Sequence, residues 1–356
     1  MKNKILITGG AGFIGSNYVE LIIENAEDQI YVLDNLTYAG NLKNLETVSH
    51  LPNYNFIKGD ICDETLIDSL FKEYQFNKVV HFAAESHVDN SITGPGAFIQ
   101  TNIVGTFNLL HSAYRLWMNG PNQLKEEYNN ARFLHVSTDE VYGTLGEKGL
   151  FLESTPYAPN SPYSASKASS DFIVRSYFHT YGMPVVTTNC SNNYGAHQHK
   201  EKLIPTIIRK AISGEAIPIY GNGKNIRDWI YVNDHCRGIK LVLEEGKLGE
   251  TYNIGGRNER ENLYIAYTIC DLLDKLIPND RPYREQMAFV QDRAGHDFRY
   301  ALDISRIKSE LSWRPSTNFE DGLKTYLIES SEGADLILQD SIVCSKKSDA
   351  QELEFA

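Results

Sequence analysis

A surplus of positive charge, paired cysteines and long apolar runs are all missing from this sequence, and each absence closes off a class of function. Lys and Arg number 34 against 46 Asp and Glu in 356 residues, a formal net charge of −12. The acidity is spread along the chain apart from a modest run near the C-terminal end, and its field opposes a nucleic-acid duplex or an anionic bilayer. No nucleic acid and no membrane is therefore expected as partner, although a few converging cations would suffice for one anionic small molecule. No apolar run approaches the ~18 residues that a membrane span needs. The five cysteines (Cys62, Cys190, Cys236, Cys270, Cys344) are odd in number and lack any C-x-x-C spacing. Neither a disulfide framework nor a metal site is indicated, and the compartment reads as reducing. The segment Met1 to Thr8 passes from lysines into a short apolar run ending at glycines, which reads as a first strand and not a signal peptide. A cytoplasmic protein is expected.

What remains is ordinary globular material: 42% hydrophobic, 11% aromatic and 22% charged residues, enough for a sizeable core. The length suggests two domains at ~150 residues each. Short β-branched runs at Lys4 to Thr8, Gln29 to Asp34, Asn55 to Asp60, Lys78 to Ala84, Arg132 to Thr138 and Met183 to Cys190 alternate with helical patterns such as Asp63 to Tyr74. That rhythm belongs to βαβ units and a mostly parallel sheet covered on both faces. After Cys190 the rhythm changes. A helix over Lys202 to Ile212 leads to Ile217 to Tyr220, and strands at Arg227 to Val232 and Glu250 to Ile254 suggest a return to the first domain. The expected division is 1–190 plus 228–256 for one domain, 191–227 plus 257–333 for the other, and a tail, 334–356, left as disordered.

Chemistry enters with Ile5-Leu6-Ile7-Thr8-Gly9-Gly10-Ala11-Gly12-Phe13-Ile14-Gly15, a strand running into a glycine turn and then an apolar-periodic helix. Glycines at 9, 12 and 15 fit G-x-x-G-x-x-G, and they let backbone amides approach a pyrophosphate at a helix N-terminus. Asp34 ends the second strand 19 residues after Gly15, where a carboxylate binds a ribose 2′-hydroxyl and repels a 2′-phosphate. NAD is expected over NADP.

Two further constellations stand out. Tyr163 and Lys167 lie at i, i+4 on one helix face, where an ammonium stabilises a phenolate and makes the Tyr a base near neutrality. A bare Tyr-x-x-x-Lys is common on solvated helices; the dinucleotide turn is what gives this one meaning. Ser137-Thr138-Asp139-Glu140 follows the buried-looking strand Phe133 to Val136, at a strand's carboxyl end, where α/β sheets bind ligands. Two adjacent carboxylates push at least one pKa up, as an acid/base pair requires.

With these residues in place the chain resembles the extended short-chain dehydrogenase/reductase (NAD-dependent epimerase/dehydratase) superfamily, and within it the dTDP-glucose 4,6-dehydratases. The resemblance rests also on Ala83-Ala84-Glu85-Ser86-His87-Val88-Asp89, Ser191-Asn192-Asn193-Tyr194-Gly195, Glu201-Lys202-Leu203-Ile204-Pro205 and Gly295-His296-Asp297, and it runs from about Lys4 to about Tyr326. It implies an α/β fold: a Rossmann-type doubly wound parallel sheet with a smaller, interleaved α/β C-terminal substrate domain. It implies a lyase that dehydrates dTDP-glucose to dTDP-4-keto-6-deoxy-glucose through bound NAD, supplying deoxysugar precursors such as rhamnose. The implied roles are Tyr163 with Lys167 and Thr138 at the sugar 4-hydroxyl, Glu140 as base at C5 and Asp139 as acid at the C6 hydroxyl. The implied cofactor site comprises Gly9, Gly12, Phe13, Ile14, Gly15, Asp34, Asn35, Leu36, Thr37, Asp60, Ile61, Phe82, Ala83, Ala84, Glu85, Thr101, Tyr163, Lys167 and Asn193. The implied substrate site comprises Ser86, Thr138, Asn192, Lys202, Leu203, Pro218, Ile219, Tyr220, Arg227, Asn262, Asp292, Arg293, His296 and Asp297, with Lys202, Arg227 and Arg293 facing the diphosphate.

Three places depart from the family pattern: Asn90 where Arg is usual, Ala294 where Pro is usual, and Ala196-His197-Gln198-His199-Lys200, which lacks the family's prolines and puts loop rigidity in question. Surplus apolar residues on Ala97 to Trp117 and Tyr163 to Tyr181, among them Phe98, Ile99, Phe107, Leu116, Phe172, Ile173 and Phe178, point to a homodimer, since such helices pair in the resembled family. Two other readings compete. A UDP-sugar epimerase or decarboxylase shares Tyr163 and Lys167 but leaves Asp139-Glu140 without a task. A non-catalytic dinucleotide-binding regulator would be marked by loss of the catalytic residues, which are all present.

Overall fold

The computed structural model describes residues 2–292 and 295–332. Its first strands form where the sequence is apolar on both faces, the pattern of strands covered from both sides: β1 (Lys4–Thr8), β2 (Gln29–Asp34), β3 (Tyr54–Lys58) and β4 (Lys78–His81). A short hairpin, β5 (Met118–Gly120) and β6 (Gln123–Leu124), precedes β7 (Arg132–Thr138) and β8 (Val185–Cys190). Then come β9 (Asn192–Tyr194), β10 (Ile217–Tyr220), β11 (Ile226–Tyr231), β12 (Thr251–Ile254), β13 (Glu259–Glu261) and β14 (Met287–Val290).

Seven of these make one parallel sheet in the order β12-β8-β7-β4-β1-β2-β3. The chain leaves β1 for β2 and β3 on one side, then crosses to β4 on the other. That reversal opens a crevice beyond the carboxyl ends of β1 and β4, where doubly wound sheets bind ligands. One face of the sheet packs against α1 (Phe13–Ile22), through Tyr18, Val19 and Ile22. The other face is covered by α2 (Glu64–Tyr74) and by a helical rod beginning after α3 (Val88–Thr93). In α2, Asp63 caps the start by accepting from the Leu66 amide at 3.0 Å. The rod comprises α4 (Pro95–Phe98), a π-helical turn over Ile99–Gly105, and α5 (Thr106–Trp117). The helix expected as one piece over Ala97 to Trp117 therefore carries a π segment, a feature common near functional sites.

The longest helix, α6 (Pro162–Tyr181), is fixed at both ends: Ser161 and Ser164 form a reciprocal capping box, and Gly182 closes it at φ 67°. That cap sets the position of Tyr163 and Lys167 one turn apart, on the buried side. A third apolar cluster unites α7 (Leu203–Ile212), α9 (Asn262–Leu276), the β10–β14 pair and the three-stranded sheet β13-β11-β9, with Phe319 and Leu323 of α11 (Phe319–Glu332). Between these parts, α8 (Val232–Glu245) joins the first cluster, with Ile307 from α10 (Ser305–Leu311).

The expected boundary at 228 runs through β11. This strand pairs with β9 and β13, outside the large sheet, whereas β12 pairs with β8 inside it. Alternation along a strand encodes which face is buried but not which neighbour it meets. The expected tail, 334–356, lies outside the described residues, as do Arg293 and Ala294. No helix among the described residues is long and apolar enough to cross a membrane.

Candidate active site

A cavity of about 510 Å³ opens at the crossover and runs between the large sheet and the smaller layer. The ends of six parallel strands supply it: Gly9 after β1, Asp34 at the end of β2, Asp60 after β3, Phe82 to Ser86 after β4, Thr138 at the end of β7 and Ser191 after β8.

The glycine turn forms its floor. Gly9 sits at φ +70°, and a Cβ there would lie 2.6 Å from the Ala83 backbone nitrogen. A Cβ on Gly15 would lie 2.3 Å from the Gly9 carbonyl oxygen, so the helix packs on the turn with no room for a side chain. No side chain caps α1 at Gly12, and its first turn carries no acid. The open amides and the helix dipole suit a phosphate. Asp34 Oδ2 accepts from the Ala11 amide at 3.0 Å and Oδ1 from the Leu36 amide at 2.8 Å. Those bonds hold the carboxylate beside the turn with lone pairs to spare for a ribose hydroxyl. Burial raises the Asp34 pKa and the two amides oppose that rise. A glycine cradle, an open helix end and a fixed carboxylate together fit a dinucleotide.

Asp60 is held by Asn35 at 3.0 Å and the Cys62 amide at 2.8 Å. Glu85 is tied through its backbone to Asn102, which accepts from its amide at 2.8 Å and donates to Ser166 at 2.8 Å. Asn102 thus links the loop after β4, the π turn and α6, and no motif in the sequence announces it. Its neighbour Thr101 lines the cavity.

At the chemical end, Thr138 Oγ1 accepts from the Glu140 amide at 3.3 Å and donates to Asp139 Oδ1 at 3.4 Å. Asp139 is 2% exposed, and its Oδ2 has no hydrogen-bond partner among the described residues. Burial, then Glu140 and Asp228, push its carboxyl well above the usual range. Tyr163 is buried; burial and then Glu140 raise its pKa, with Thr138 acting in the opposite sense. Lys167, also buried, donates to the Val136 carbonyl at 2.8 Å. Lys167 lies one turn from Tyr163 on the same helix, with its ammonium directed to that carbonyl. Behind Lys167, Asp171 accepts from Ser137 at 2.9 Å and Tyr157 at 3.0 Å, and lies 3.1 Å from His135. Burial lifts Asp171 to about 7, with Lys167 acting in the opposite sense.

On the other wall, Arg227 is buried with its guanidinium on the carbonyls of Ile226 (2.8 Å) and Asp297 (2.9 Å) and 4.2 Å above the Tyr300 ring. Lys202 donates to the Ser86 carbonyl at 3.0 Å. Asp297 accepts from Asn160 at 2.7 Å and Tyr300 at 2.5 Å.

Most of the expected residues meet in this one cavity. Leu36, Asp139, Ile219 and Asp292 do not line it. Leu36, at φ 54°, packs against the core. Ile219 is buried because β10 alternates, turning Pro218 and Tyr220 to the cavity and Ile217 and Ile219 inward. Asp292 lies 2.6 Å from His296 Nδ1, and Arg293 is outside the described residues. Ser161, Trp229 and Tyr300 line the cavity without having been singled out; they come from separate segments and share no motif, whereas Glu201, which also lines it, opens the Glu201 to Pro205 motif. The atypical loop is anchored: Asn17 donates to the Ala196 carbonyl at 3.0 Å, and His197 meets Ser16 at 3.0 Å. These contacts tie the loop to α1 where the family pattern has prolines.

The family described as GDP-mannose 4,6 dehydratase matches residues 6–326. A dTDP-glucose 4,6-dehydratase of Salmonella typhimurium is 55% identical over 331 residues, covering 90% of this chain and 91% of the relative. A crystal structure of a dTDP-glucose 4,6-dehydratase from Streptomyces venezuelae, with NAD and TYD bound, superposes with a TM-score of 0.83 at 44% identity, covering 92% of this chain and 97% of the other. A UDP-glucose 4-epimerase of Thermotoga maritima, solved with UDP-glucose, has the same fold (TM-score 0.81) at 27% identity, covering 93% and 99% of the two chains.

Proposed function

This chain belongs to the GDP-mannose 4,6 dehydratase family, and from that membership and its likeness to dTDP-glucose 4,6-dehydratases we propose how its residues dehydrate dTDP-glucose to dTDP-4-keto-6-deoxy-glucose. The observation that carries the reading is Asp139 beside Glu140 at the end of β7. A buried carboxyl with a raised pKa and a free oxygen is a proton donor, and the adjacent carboxylate keeps it so.

The cofactor is NAD, which supplies a hydride acceptor for sugar C4 and a hydride donor for C6. Asp34, Phe13 and Ile14 hold its ribose and pyrophosphate ends. Tyr163 takes the proton of the 4-hydroxyl, with Thr138 and Lys167 orienting it. The C4 ketone makes the C5 proton acidic, Glu140 removes it, and Asp139 protonates the departing C6 hydroxyl. The cavity wall of Lys202 and Arg227 faces the diphosphate, so the large-sheet layer serves the cofactor and the smaller layer the sugar nucleotide. The product feeds deoxysugar synthesis in the cytoplasm. Two copies pair through the π turn, α5 and α6, where Ile99, Phe107 and Phe172 are exposed.

The test is incubation with dTDP-glucose in heavy water, followed by mass spectrometry. Loss of one water with solvent deuterium at C5 is the expected result. An isobaric product without water loss would overturn the reading in favour of epimerisation.

A further inference from the structure

We infer that His197 is a positioning residue: its bond to Ser16 clasps the loop Ala196 to Lys202 onto the cofactor half and keeps NAD bound between the two hydride transfers. The inference rests on the dehydration reading above, which gives retention its purpose. The hydride that leaves C4 must return to C6 of the same sugar. Escape of reduced nicotinamide in between would carry the hydride away and strand a 4-keto sugar. A contact that slows escape therefore serves the reaction without touching the sugar.

The loop follows β9 in the smaller layer, yet its contacts reach three segments of the large-sheet layer. At α1, Asn17 donates to the Ala196 carbonyl at 3.0 Å, and His197 Nδ1 lies 3.0 Å from Ser16 Oγ. In the loop after β2, the Tyr38 ring meets the His199 ring edge to face, with centroids 5.5 Å apart. In the loop after β4, the Ser86 carbonyl accepts from Lys202 at 3.0 Å, and His87 lies 3.8 Å from Glu201. Phe13 of α1, Thr37 after β2 and Ser86 after β4 all line the cavity, as do Gln198 and His199 of the loop itself. The loop therefore bridges the two layers at the cavity that the glycine cradle and Asp34 share. His197 is the strained point of that bridge. Its φ of 68° lies in the left-handed region, which a residue with a side chain keeps only where surrounding contacts impose it. The contacts that impose it are those of Ala196 and His197 to α1. Ser16 is buried, and its hydroxyl donates to the Phe13 carbonyl at 3.1 Å, which leaves a lone pair to accept from His197 Nδ1–H. Ser16 thus couples the loop to Phe13, the first residue of the helix whose open end suits a phosphate. Gln198 adds a tie within the smaller layer by donating to the Asn193 carbonyl at 2.8 Å.

The experiment measures cofactor release from the whole enzyme. The parent and its variants are loaded with radiolabelled NAD, chased with excess unlabelled NAD, and sampled for label per chain by gel filtration. His197→Ala and Ser16→Ala, which remove the contact from either side, are each expected to lose label about ten-fold faster, the worth of one hydrogen bond. The double variant is expected to be no faster than either, since both changes delete the same contact. His197→Asn presents an N–H donor in the place of Nδ1 and tolerates a left-handed backbone, so it is expected to retain label like the parent. A merely structural role for the imidazole would give neither the shared effect nor the rescue. Label loss at the parent's rate in either single variant, additive effects in the double variant, or failure of Asn to restore retention overturns the clasp. The chase contains no sugar nucleotide, so failure of the parent to release water from dTDP-glucose overturns the dehydration reading instead, and the two failures are distinct.

Discussion

At the residue scale, the roles of individual carboxyls follow from where each is buried. Asp139→Asn keeps the shape of the side chain but removes the proton that the C6 hydroxyl needs. Elimination is expected to slow by about 10² or more, while C4 oxidation continues, so reduced nicotinamide accumulates and is read by its absorbance. Equal slowing of both steps would contradict the assigned role. Asp171 makes a different prediction. Its folded pKa is raised from 3.8 to about 7, so between those values the folded state holds a proton that the unfolded state has lost. Its contribution to stability is therefore greatest at low pH, falls as pH rises from about 4 to about 7, and is level above that. The stability of the parent relative to Asp171→Asn, measured by urea unfolding, is expected to decline across that window by up to about 1.4 kcal/mol for each step of one in pH. A difference independent of pH would show that Asp171 does not titrate there. Adjacency in the sequence makes Asp139 and Glu140 conspicuous, but nothing local marks Asp171, whose partners His135, Ser137 and Tyr157 meet it through tertiary packing.

At the scale of elements, the glycine turn and α1 act as one unit. A Cβ at Gly15 would overlap the Gly9 carbonyl oxygen at 2.3 Å, whereas a Cβ at Gly12 would sit at 3.2 Å. Gly15→Ala is expected to weaken NAD binding roughly 10- to 100-fold, from about 1–3 kcal/mol of overpacking, and Gly12→Ala less. Bound nicotinamide per chain after gel filtration measures both, and the reverse order would refute the packing argument. This turn was legible because spacing alone places its glycines. The π turn was not, since the apolar pattern through Ile99 to Gly105 reads as continuous helix. Nor was the partner of β11: its residues favour a strand, but the edge it joins depends on where α7 and β9 have already placed the chain.

At the scale of the whole molecule, the proposed dimer makes a prediction of mass. Sedimentation of the 40.2 kDa chain is expected to give twice that value, and Phe172→Glu combined with Ile99→Glu to give monomers, because Phe172 is 59% and Ile99 52% exposed in the single chain. A parent that sediments as a monomer at micromolar concentration would remove the proposal. The missing positive charge that marked this sequence from the start is met at the site by very few cations, Lys202 and Arg227 among them, each held on backbone carbonyls and facing one cavity. The parallel sheet, the dinucleotide turn, Asp34 and the pairings Asp139-Glu140 and Tyr163–Lys167 were all readable along the chain, because periodicity and short spacings are local properties. Tertiary packing alone set the rest: Asp139 is buried, Ile219 faces inward, and Asn102 and Tyr300 join the site. Those outcomes depend on which distant segments meet, and on the desolvation that their meeting imposes.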